Sequence, residues 1–260
     1  MQSAIVDEDA QELSSTGDHG VSRLSNVALR DRAYKEIANA LRAGRFPPSS
    51  MVTIRGLAEM LGTSTMPVRE AVSRLVTERA LEMMPNRTLR VPTISLPILD
   101  ELIDTRATVE GRAAALAAER MTSADFSKIK AANERYGHAL DAGDIPAAVA
   151  ANEQLHFAIY RAAGSSLLLS IIEMLWLQSG PYLASVMTKT EVAAESLYDR
   201  GVGHHFNILA ALAKRDPAAS SAAVQADIVD AAEWYKKQLF VDGEPLPESK
   251  PVRRGRKPKA

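Results

Sequence analysis

The stretch "RGLAEMLGTSTMPVREAVSRLVTERAL", residues 55–81, decides the fold of the N-terminal third of the chain. Apolar residues at helical spacing predict two short helices, over 55–61 and 65–79. Gly62 permits a sharp turn between them, and Ser64 is predicted to cap the second helix. Two short helices joined in this way form a helix-turn-helix unit.

The flanking sequence extends this unit to a small domain. "NVALRDRAYKEIANALRAG" at 26–44 predicts a helix, and "RFPPSSM" at 45–51 predicts a turn. After the second helix, "LEMMPNRTLRV" at 81–91 predicts two short strands around a Pro-Asn-Arg-Thr turn. Residues 26–92 are therefore predicted to form a winged helix-turn-helix domain, followed by a linker at 93–98.

The rest of the chain is predicted to be helical, so the fold class is mainly α. Residues 99–241 are alanine-rich and are interrupted by short breaks such as "QSGP" at 178–181, which predicts an antiparallel bundle of six or seven helices. The acidic residues 1–25 and the Pro-rich, basic residues 242–260 are predicted to be disordered tails. In the second tail "RRGRKP" resembles an AT-hook, the alternative being a solvated basic segment.

Charge is distributed unevenly, although the formal net charge is only -1. Residues 23–90 hold 12 Lys or Arg against 6 Asp or Glu, giving +6, whereas residues 98–241 hold 13 against 18, giving -5. This asymmetry predicts that the N-terminal part alone meets a polyanion such as nucleic acid. The absence of cysteine excludes disulfides, thiol catalysis and Cys-based zinc sites. The sequence has no apolar run long enough to span a bilayer and no secretory signal, so we expect a cytoplasmic protein without a membrane partner.

The nonapeptide "STMPVREAV" at 64–72 resembles the signature of the GntR family of bacterial transcription regulators, which runs S-R-T-P-V-R-E-A-L. The resemblance implies a homodimer that places the second helix of each copy in the major groove of a double-stranded DNA operator with an inverted repeat. Thr65 stands where the family usually has Arg, so the usual bidentate guanine contact is not expected at this position. The alternative is a basic surface that is merely solvated. The DNA-binding residues that the family implies are Arg55, Ser64, Thr65, Met66 and Arg69, with Asn86 and Arg87 in the wing turn.

Four predicted helices of the C-terminal part place polar residues on otherwise apolar stripes. Asn152 and His156 lie one turn apart in "NEQLH", and His205 precedes the apolar positions of "HHFNI". Arg106 and Asp227 occupy comparable positions on the first and last of these helices. Because buried polar groups need partners, we expect the four rows to converge on one shared site.

This helical part resembles the FCD ligand-binding domain of the FadR subfamily within GntR. In that family Asp, His, His and His hold a divalent metal such as zinc, nickel or manganese, and the metal coordinates a carboxylate effector. Here Asn152 replaces the Asp and Asp227 replaces the last His, so the carboxylate moves to another helix while the charge is kept. The resemblance implies metal binding by Asn152, His156, His205 and Asp227, and effector binding by these four together with Arg106.

The combined prediction is a transcription regulator, and more specifically a repressor, that responds to a small organic acid bound in the helical domain, with or without a divalent metal. His156 and His205 would then be metal ligands, direct hydrogen-bond partners of the acid, or ordinary core histidines. A metal-dependent enzyme is one alternative, because two His and one carboxylate also serve non-haem iron oxygenases, although no general base or nucleophile accompanies them here. An effector-independent architectural DNA binder is the other.

Overall fold

The computed structural model describes residues 26–93, 95–187, 193–241 and 244–245. The predicted tail at 1–25 lies outside the described residues, as does most of the predicted tail at 242–260. Within the described ranges the chain is mainly helical, as predicted, with an N-terminal winged helix-turn-helix followed by a helical domain.

The N-terminal domain has three helices and a three-stranded antiparallel sheet. The helices are α1 (Asn26–Arg42), α2 (Ile54–Met60) and α3 (Thr65–Thr77), and the strands are β1 (Met51–Val52), β2 (Glu82–Met83) and β3 (Leu89–Arg90). Strands β2 and β3 confirm the predicted wing, and the strand order is β1-β3-β2. Strand β1 overlaps the turn predicted at 45–51, because its pairing with β3 is a contact distant in sequence that local patterns do not reveal.

The turn between α2 and α3 forms as predicted at Gly62, whose φ of 62° lies in the left-handed region that side chains disfavour. The predicted N-cap position of Ser64 is confirmed. Ser64 occupies the N-cap position of α3 with an extended backbone, but its hydroxyl makes no capping hydrogen bond within this described segment. Helix α2 does have a side-chain cap, since Thr53 Oγ1 accepts a hydrogen bond of 3.0 Å from the Gly56 N–H.

Six described helices build the C-terminal domain, within the predicted range of six or seven. They are α4 (Leu96–Arg120), α5 (Ser123–Asp141), α6 (Ile145–Ala162), α7 (Ser166–Met187), α8 (Ala193–Ala213) and α9 (Pro217–Leu239). Helix α4 begins inside the predicted linker 93–98, because Ser95 takes the N-cap position and Pro97 fits the first turn. Helix α4 packs along α9, α5 packs along α6, and α8 packs along α9. Small and branched apolar side chains fill the space between these helices.

Helix α7 continues through the "QSGP" segment, where a break was predicted. Pro181 lies inside the helix, although its ring removes the N–H that would bond the Leu177 carbonyl. Gly180 does not end the helix; it allows α7 to approach α1 closely, because a Cβ at this position would lie 2.6 Å from Arg42 Cα in α1. The segment therefore marks a close contact between the two domains instead of a helix end.

A short antiparallel hairpin follows α9, in which β4 (Phe240–Val241) pairs with β5 (Glu244–Pro245). The described residues of the tail predicted at 242–260 thus form a strand. None of the helices in the described ranges is both long enough and apolar enough to cross a membrane.

Candidate DNA interface and effector site

The residues predicted to contact DNA lie on the outer side of the helix-turn-helix. Helix α3 buries Val68, Ala71 and Val72 against the domain core, whereas Arg69 and Glu70 on the other side of the helix are exposed. Met66 is 65% exposed on this outer side. The exposed residues at this surface are Arg55, Ser64, Thr65, Met66 and Arg69.

The wing turn is held in one conformation by its own hydrogen bonds. The Arg87 N–H donates to the Met84 carbonyl at 2.9 Å, and the Asn86 side-chain oxygen accepts from the Thr88 N–H at 3.1 Å. Arg87 has a φ of 62°, a conformation that costs a non-glycine residue about 1 kcal/mol. The turn therefore presents the exposed Asn86 and Arg87 at the tip of a rigid loop, at the expense of local strain.

In the helical domain, the structure brings together four of the five polar residues predicted to share a site, all except Arg106. His156 Nε2 lies 3.2 Å from Asp227 Oδ2, and His205 Nε2 lies 3.1 Å from Asn152 Oδ1. One ligand atom each from His156, His205 and Asp227 falls within 4.8 Å of the others. Both histidines are buried, and the Asp227 side chain is 13% exposed. Helices α6, α8 and α9 thus converge on one polar centre.

His205 is oriented by a residue that the sequence analysis missed. Its Nδ1 lies 3.1 Å from Asn133 Oδ1 on α5, and the Tyr136 ring packs against it with 4.6 Å between ring centroids. If Asn133 accepts the Nδ1 proton, the neutral imidazole turns the lone pair of Nε2 to the centre of the site. Asn133 lies on the α5 stripe between the buried Ile129 and Tyr136, so its helical spacing was a usable signal.

His156 is oriented by a buried relay. Its Nδ1 lies 3.0 Å from the Tyr160 hydroxyl oxygen, and the Tyr160 hydroxyl donates to the Glu110 carboxylate. Because the Tyr160 proton is committed to Glu110, the Tyr160 oxygen accepts the Nδ1 proton of His156. With Nδ1 engaged by Tyr160, Nε2 is the ring nitrogen of His156 that faces the centre, 3.2 Å from Asp227 Oδ2.

Arg106 lies in the same region but does not face the centre directly. Its Nε donates to Glu110 Oε1 at 2.7 Å, its Nη1 donates to Ser179 Oγ at 3.3 Å, and its guanidinium lies 4.8 Å from the Trp176 ring centroid. The charge of Arg106 is therefore balanced by Glu110, a partner that the sequence analysis missed one helical turn away. The predicted contact of Arg106 with an effector stays a prediction.

The electrostatics leave a neutral imidazole and a carboxylate in the centre at neutral pH. Burial lowers the pKa of His205 to about 4; Asp227 acts to raise it, and His156 and His204 act to lower it further. Burial acts to raise the pKa of Asp227, but the hydrogen bond and charge of His156 bring it below its ordinary value. Unprotonated imidazole and ionised carboxylate are the forms that ligate metals.

A winged helix-turn-helix followed by a helical domain with an internal polar site is the architecture of a DNA-binding regulator. Comparison with known proteins identifies the family: residues 29–91 match the gntR family of bacterial regulatory proteins, and residues 101–230 match the FCD domain. The chain belongs to the gntR family and is a transcription regulator. The enzyme hypothesis is rejected, because this is a family of regulators.

Individual relatives agree with this assignment. The chain is 30% identical over 200 residues to the HTH-type transcriptional regulator McbR of Escherichia coli (strain K12), covering 76% of this chain and 88% of that protein. It is 28% identical over 200 residues to the HTH-type transcriptional repressor GlaR of the same organism, covering 72% of this chain and 87% of GlaR. A solved structure of E. coli McbR/YncC matches with a TM-score of 0.76 and 28% identity, over 81% of this chain and 98% of that one.

The lowered pKa of His205 predicts a stability that depends on pH in the metal-free protein. Between pH 6.5 and pH 4 the unfolded chain binds a proton at His205 that the folded chain rejects, so stability is lost as pH falls through this window. Urea unfolding in the presence of a chelator should show that the free energy of unfolding falls by up to about 3 kcal/mol across this pH window. In His205→Gln this fall should be absent. His204→Gln, at the neighbouring position, should retain the loss. An equal pH dependence in the wild type and His205→Gln would contradict a neutral, buried His205.

The strained wing predicts opposite effects of one substitution on stability and DNA binding. Arg87→Gly relieves the strain of the left-handed conformation, so the free energy of unfolding should rise by about 1 kcal/mol. Thermal unfolding should therefore occur at a higher temperature. The substitution also removes a charge, so DNA affinity and its salt dependence should fall, the latter by about one ion. Arg87→Ala should lose the same DNA affinity without gaining stability. Unchanged DNA binding in both variants would show that the wing does not contact DNA.

Proposed function

We propose that this protein is a homodimeric, cytoplasmic repressor whose operator affinity is set by a divalent metal and a small organic acid bound between α6, α8 and α9. The observation that carries the proposal is the convergence of His156, His205 and Asp227, with both imidazoles oriented by outer partners so that Nε2 faces the centre. Ordinary core histidines have no need of a carboxylate and a second imidazole at ligand distance. The names of relatives such as the transcriptional repressor GlaR support repression.

The donor set fits a divalent metal. Ligand atoms about 2.1 Å from a tetrahedrally coordinated zinc ion lie about 3.4 Å from one another. The observed separations of 3.2 Å between His156 Nε2 and Asp227 Oδ2, and of 3.1 Å between His205 Nε2 and Asn152 Oδ1, are close to that spacing. His156, His205 and Asp227 would hold the metal, with Asn152 as a neutral fourth donor. Zinc, nickel and manganese are the candidates.

The charge of the site favours an anionic effector. A divalent ion held by two neutral imidazoles and the Asp227 carboxylate leaves one positive charge, and Arg106 adds none because Glu110 balances it. A bound metal supplies open coordination positions that accept carboxylate oxygens. The effector class that balances this site is therefore a small acid with one carboxylate at the metal.

DNA binding is proposed to run through α3 and the wing of two copies at the half-sites of an inverted repeat. Helix α3 exposes Arg69 and a free Ser64 hydroxyl at its N-terminal turns, the part of a recognition helix that meets base edges and phosphates. An architectural DNA binder would share this surface but would have no use for the ligand-oriented histidines.

Calorimetric titration of the chelator-treated protein with zinc, nickel or manganese tests the metal site. Wild type should bind at least one of these ions, and His205→Ala should lose more than the roughly 10- to 100-fold affinity that outer-sphere changes cost. His204→Ala is a matched control, because His204 is the adjacent residue and pairs with Asp230 at 3.3 Å outside the donor set. Binding that His205→Ala leaves intact, or that His204→Ala abolishes equally, contradicts the proposed ligands.

Fluorescence anisotropy with a duplex selected by the protein from a random-sequence pool tests the DNA surface. Arg69→Ala should weaken binding and reduce the salt dependence by about one ion, because an exposed charge at the phosphates is lost. Arg112→Ala, an exposed arginine of the helical domain, should bind as the wild type does. His156→Ala should also retain DNA binding but lose its response to metal or acid. Equal affinities of Arg69→Ala and wild type would remove α3 from the interface.

A further inference from the structure

One turn of α7 contacts both the effector site and the DNA-binding domain. On the side of the site, Trp176 Nε1 donates to Glu110 Oε2 at 3.0 Å, and Ser179 Oγ accepts from Arg106. On the other side, Leu177 is 1% exposed and belongs to the apolar core of the winged helix-turn-helix. Gln178 Nε2 donates to the backbone carbonyl of Glu78 at 3.1 Å.

The contact of Gln178 is made at the end of the recognition helix. Glu78 is the C-cap residue of α3, and its carboxylate accepts hydrogen bonds from Arg74 at 2.8 Å and from the Tyr34 hydroxyl of α1 at 2.7 Å. Gln178 therefore holds the residue at which α3 and α1 are tied together. Gly180, two residues on, lies so close to α1 that a Cβ would meet Arg42 Cα at 2.6 Å. Helix α7 cannot slide or rotate here without moving α1 and the end of α3.

The other side of this turn leads to His156 through a single carboxylate. Glu110 is 0% exposed and accepts from Arg106 of α4, Tyr160 of α6 and Trp176 of α7. Tyr160 accepts from His156 Nδ1, so Glu110 is two hydrogen bonds from the imidazole. A cation at His156 Nε2 makes Nδ1–H a stronger donor, and the following bonds to Tyr160 and Glu110 respond because linked hydrogen bonds polarise one another.

We propose that Glu110 and Gln178 are positioning residues that couple the effector site to the recognition helix through α7. Occupancy of the site changes how Glu110 holds Trp176, and the 176–180 turn carries the change to Glu78 and α3. The turn has one helical hydrogen bond fewer, since Pro181 leaves the Leu177 carbonyl without its helical N–H partner. The inference rests on the proposed function in one respect, that His156 is part of a ligand site.

Trp176 provides a direct reporter, because the chain has only one other tryptophan, Trp234. In a Trp234→Phe background, the selected DNA duplex should change the emission of Trp176 although it does not contact that side chain. The reason is that the 176–180 turn, which contains Trp176, contacts the end of α3 through Gln178. Gln178→Met in this background keeps the side-chain length and removes the donor, so the DNA-induced change should fall by at least half while anisotropy still shows DNA binding. Gln154→Met is the matched control: Gln154 is exposed, accepts from Arg135 on α5, and should leave the change intact.

The second readout is reciprocal linkage. Zinc alone should change the DNA dissociation constant of the wild type by about 5-fold or more, and DNA should change zinc affinity by the same factor. In Gln178→Met this factor should approach one, with zinc affinity in the absence of DNA unchanged. Gln178→Lys restores a donor to the Glu78 carbonyl at a helix C-terminus and should restore the coupling. A purely steric role of position 178 would keep the coupling in Gln178→Met, because that side chain has the same length.

Three results overturn the coupling: no change of Trp176 emission on DNA binding, a full change in Gln178→Met, or an unaltered linkage factor in that variant. Failure of the proposed metal function is seen separately, as absence of heat when zinc, nickel or manganese is added, and the DNA-to-Trp176 experiment still decides the coupling. Hydrogen–deuterium exchange of the α7 amides with and without DNA gives the same comparison in the wild-type chain and in Gln178→Met, without removing Trp234.

Discussion

The buried carboxylate of Glu110 is the constraint on which the helical domain and its site depend. An ion without solvent exposure costs several kcal/mol unless charge and hydrogen bonds compensate it, and Glu110 is fully enclosed. Arg106 supplies the opposite charge, and Tyr160 and Trp176 supply neutral donors from two other helices. Removing a single partner of such a group costs about 3–5 kcal/mol, so α4, α6 and α7 are held in one arrangement by a few polar atoms. That arrangement also fixes the orientation of His156.

The same pairing determines which charges remain for a ligand. With Arg106 balanced, Asp227 is the carboxylate that faces the two imidazoles, and it sits on α9 where the family resemblance places a histidine. Asn152 on α6 takes the position of the family's carboxylate and contributes a neutral oxygen 3.1 Å from His205. The exchange keeps the total charge but joins α6 to α9 electrostatically through His156 and Asp227. The rearrangement changes where the charge of the site lies and not how much charge there is.

Local sequence patterns predicted what local physics determines. Helical spacing located α2 and α3, turn residues located the wing, and polar residues on apolar stripes brought Asn152, His156, His205 and Asp227 to one site before any coordinates. Several misses involve contacts distant in sequence: strand β1 exists only through its pairing with β3, and Gly180 in α7 is a contact with α1 instead of a helix end. Asn133 and Glu110 occupied visible stripe positions, but His205 lies 72 residues from Asn133, and Tyr160 lies 50 residues from Glu110. Periodicity shows that such a side chain is buried, and it does not show which group will satisfy it.

Helices α6 and α7 border the polar centre on one side and contact the DNA-binding domain on the other, an arrangement suited to a regulator. On α6, Asn152 and His156 face the polar centre, while the adjacent Glu153 pairs with Arg42 of α1 at 3.0 Å and Phe157 lies under the same guanidinium, 5.9 Å from it. On α7 the same alternation repeats between residues 176 and 180. A helix turns by about 100° per residue, so neighbours in sequence serve opposite sides of a wall one helix thick. Close packing transmits displacement across such a wall because the interior has no slack to absorb it. A ligand that changes the spacing of α6 and α7 must therefore move α1, and with it the recognition helix α3, which packs on α1.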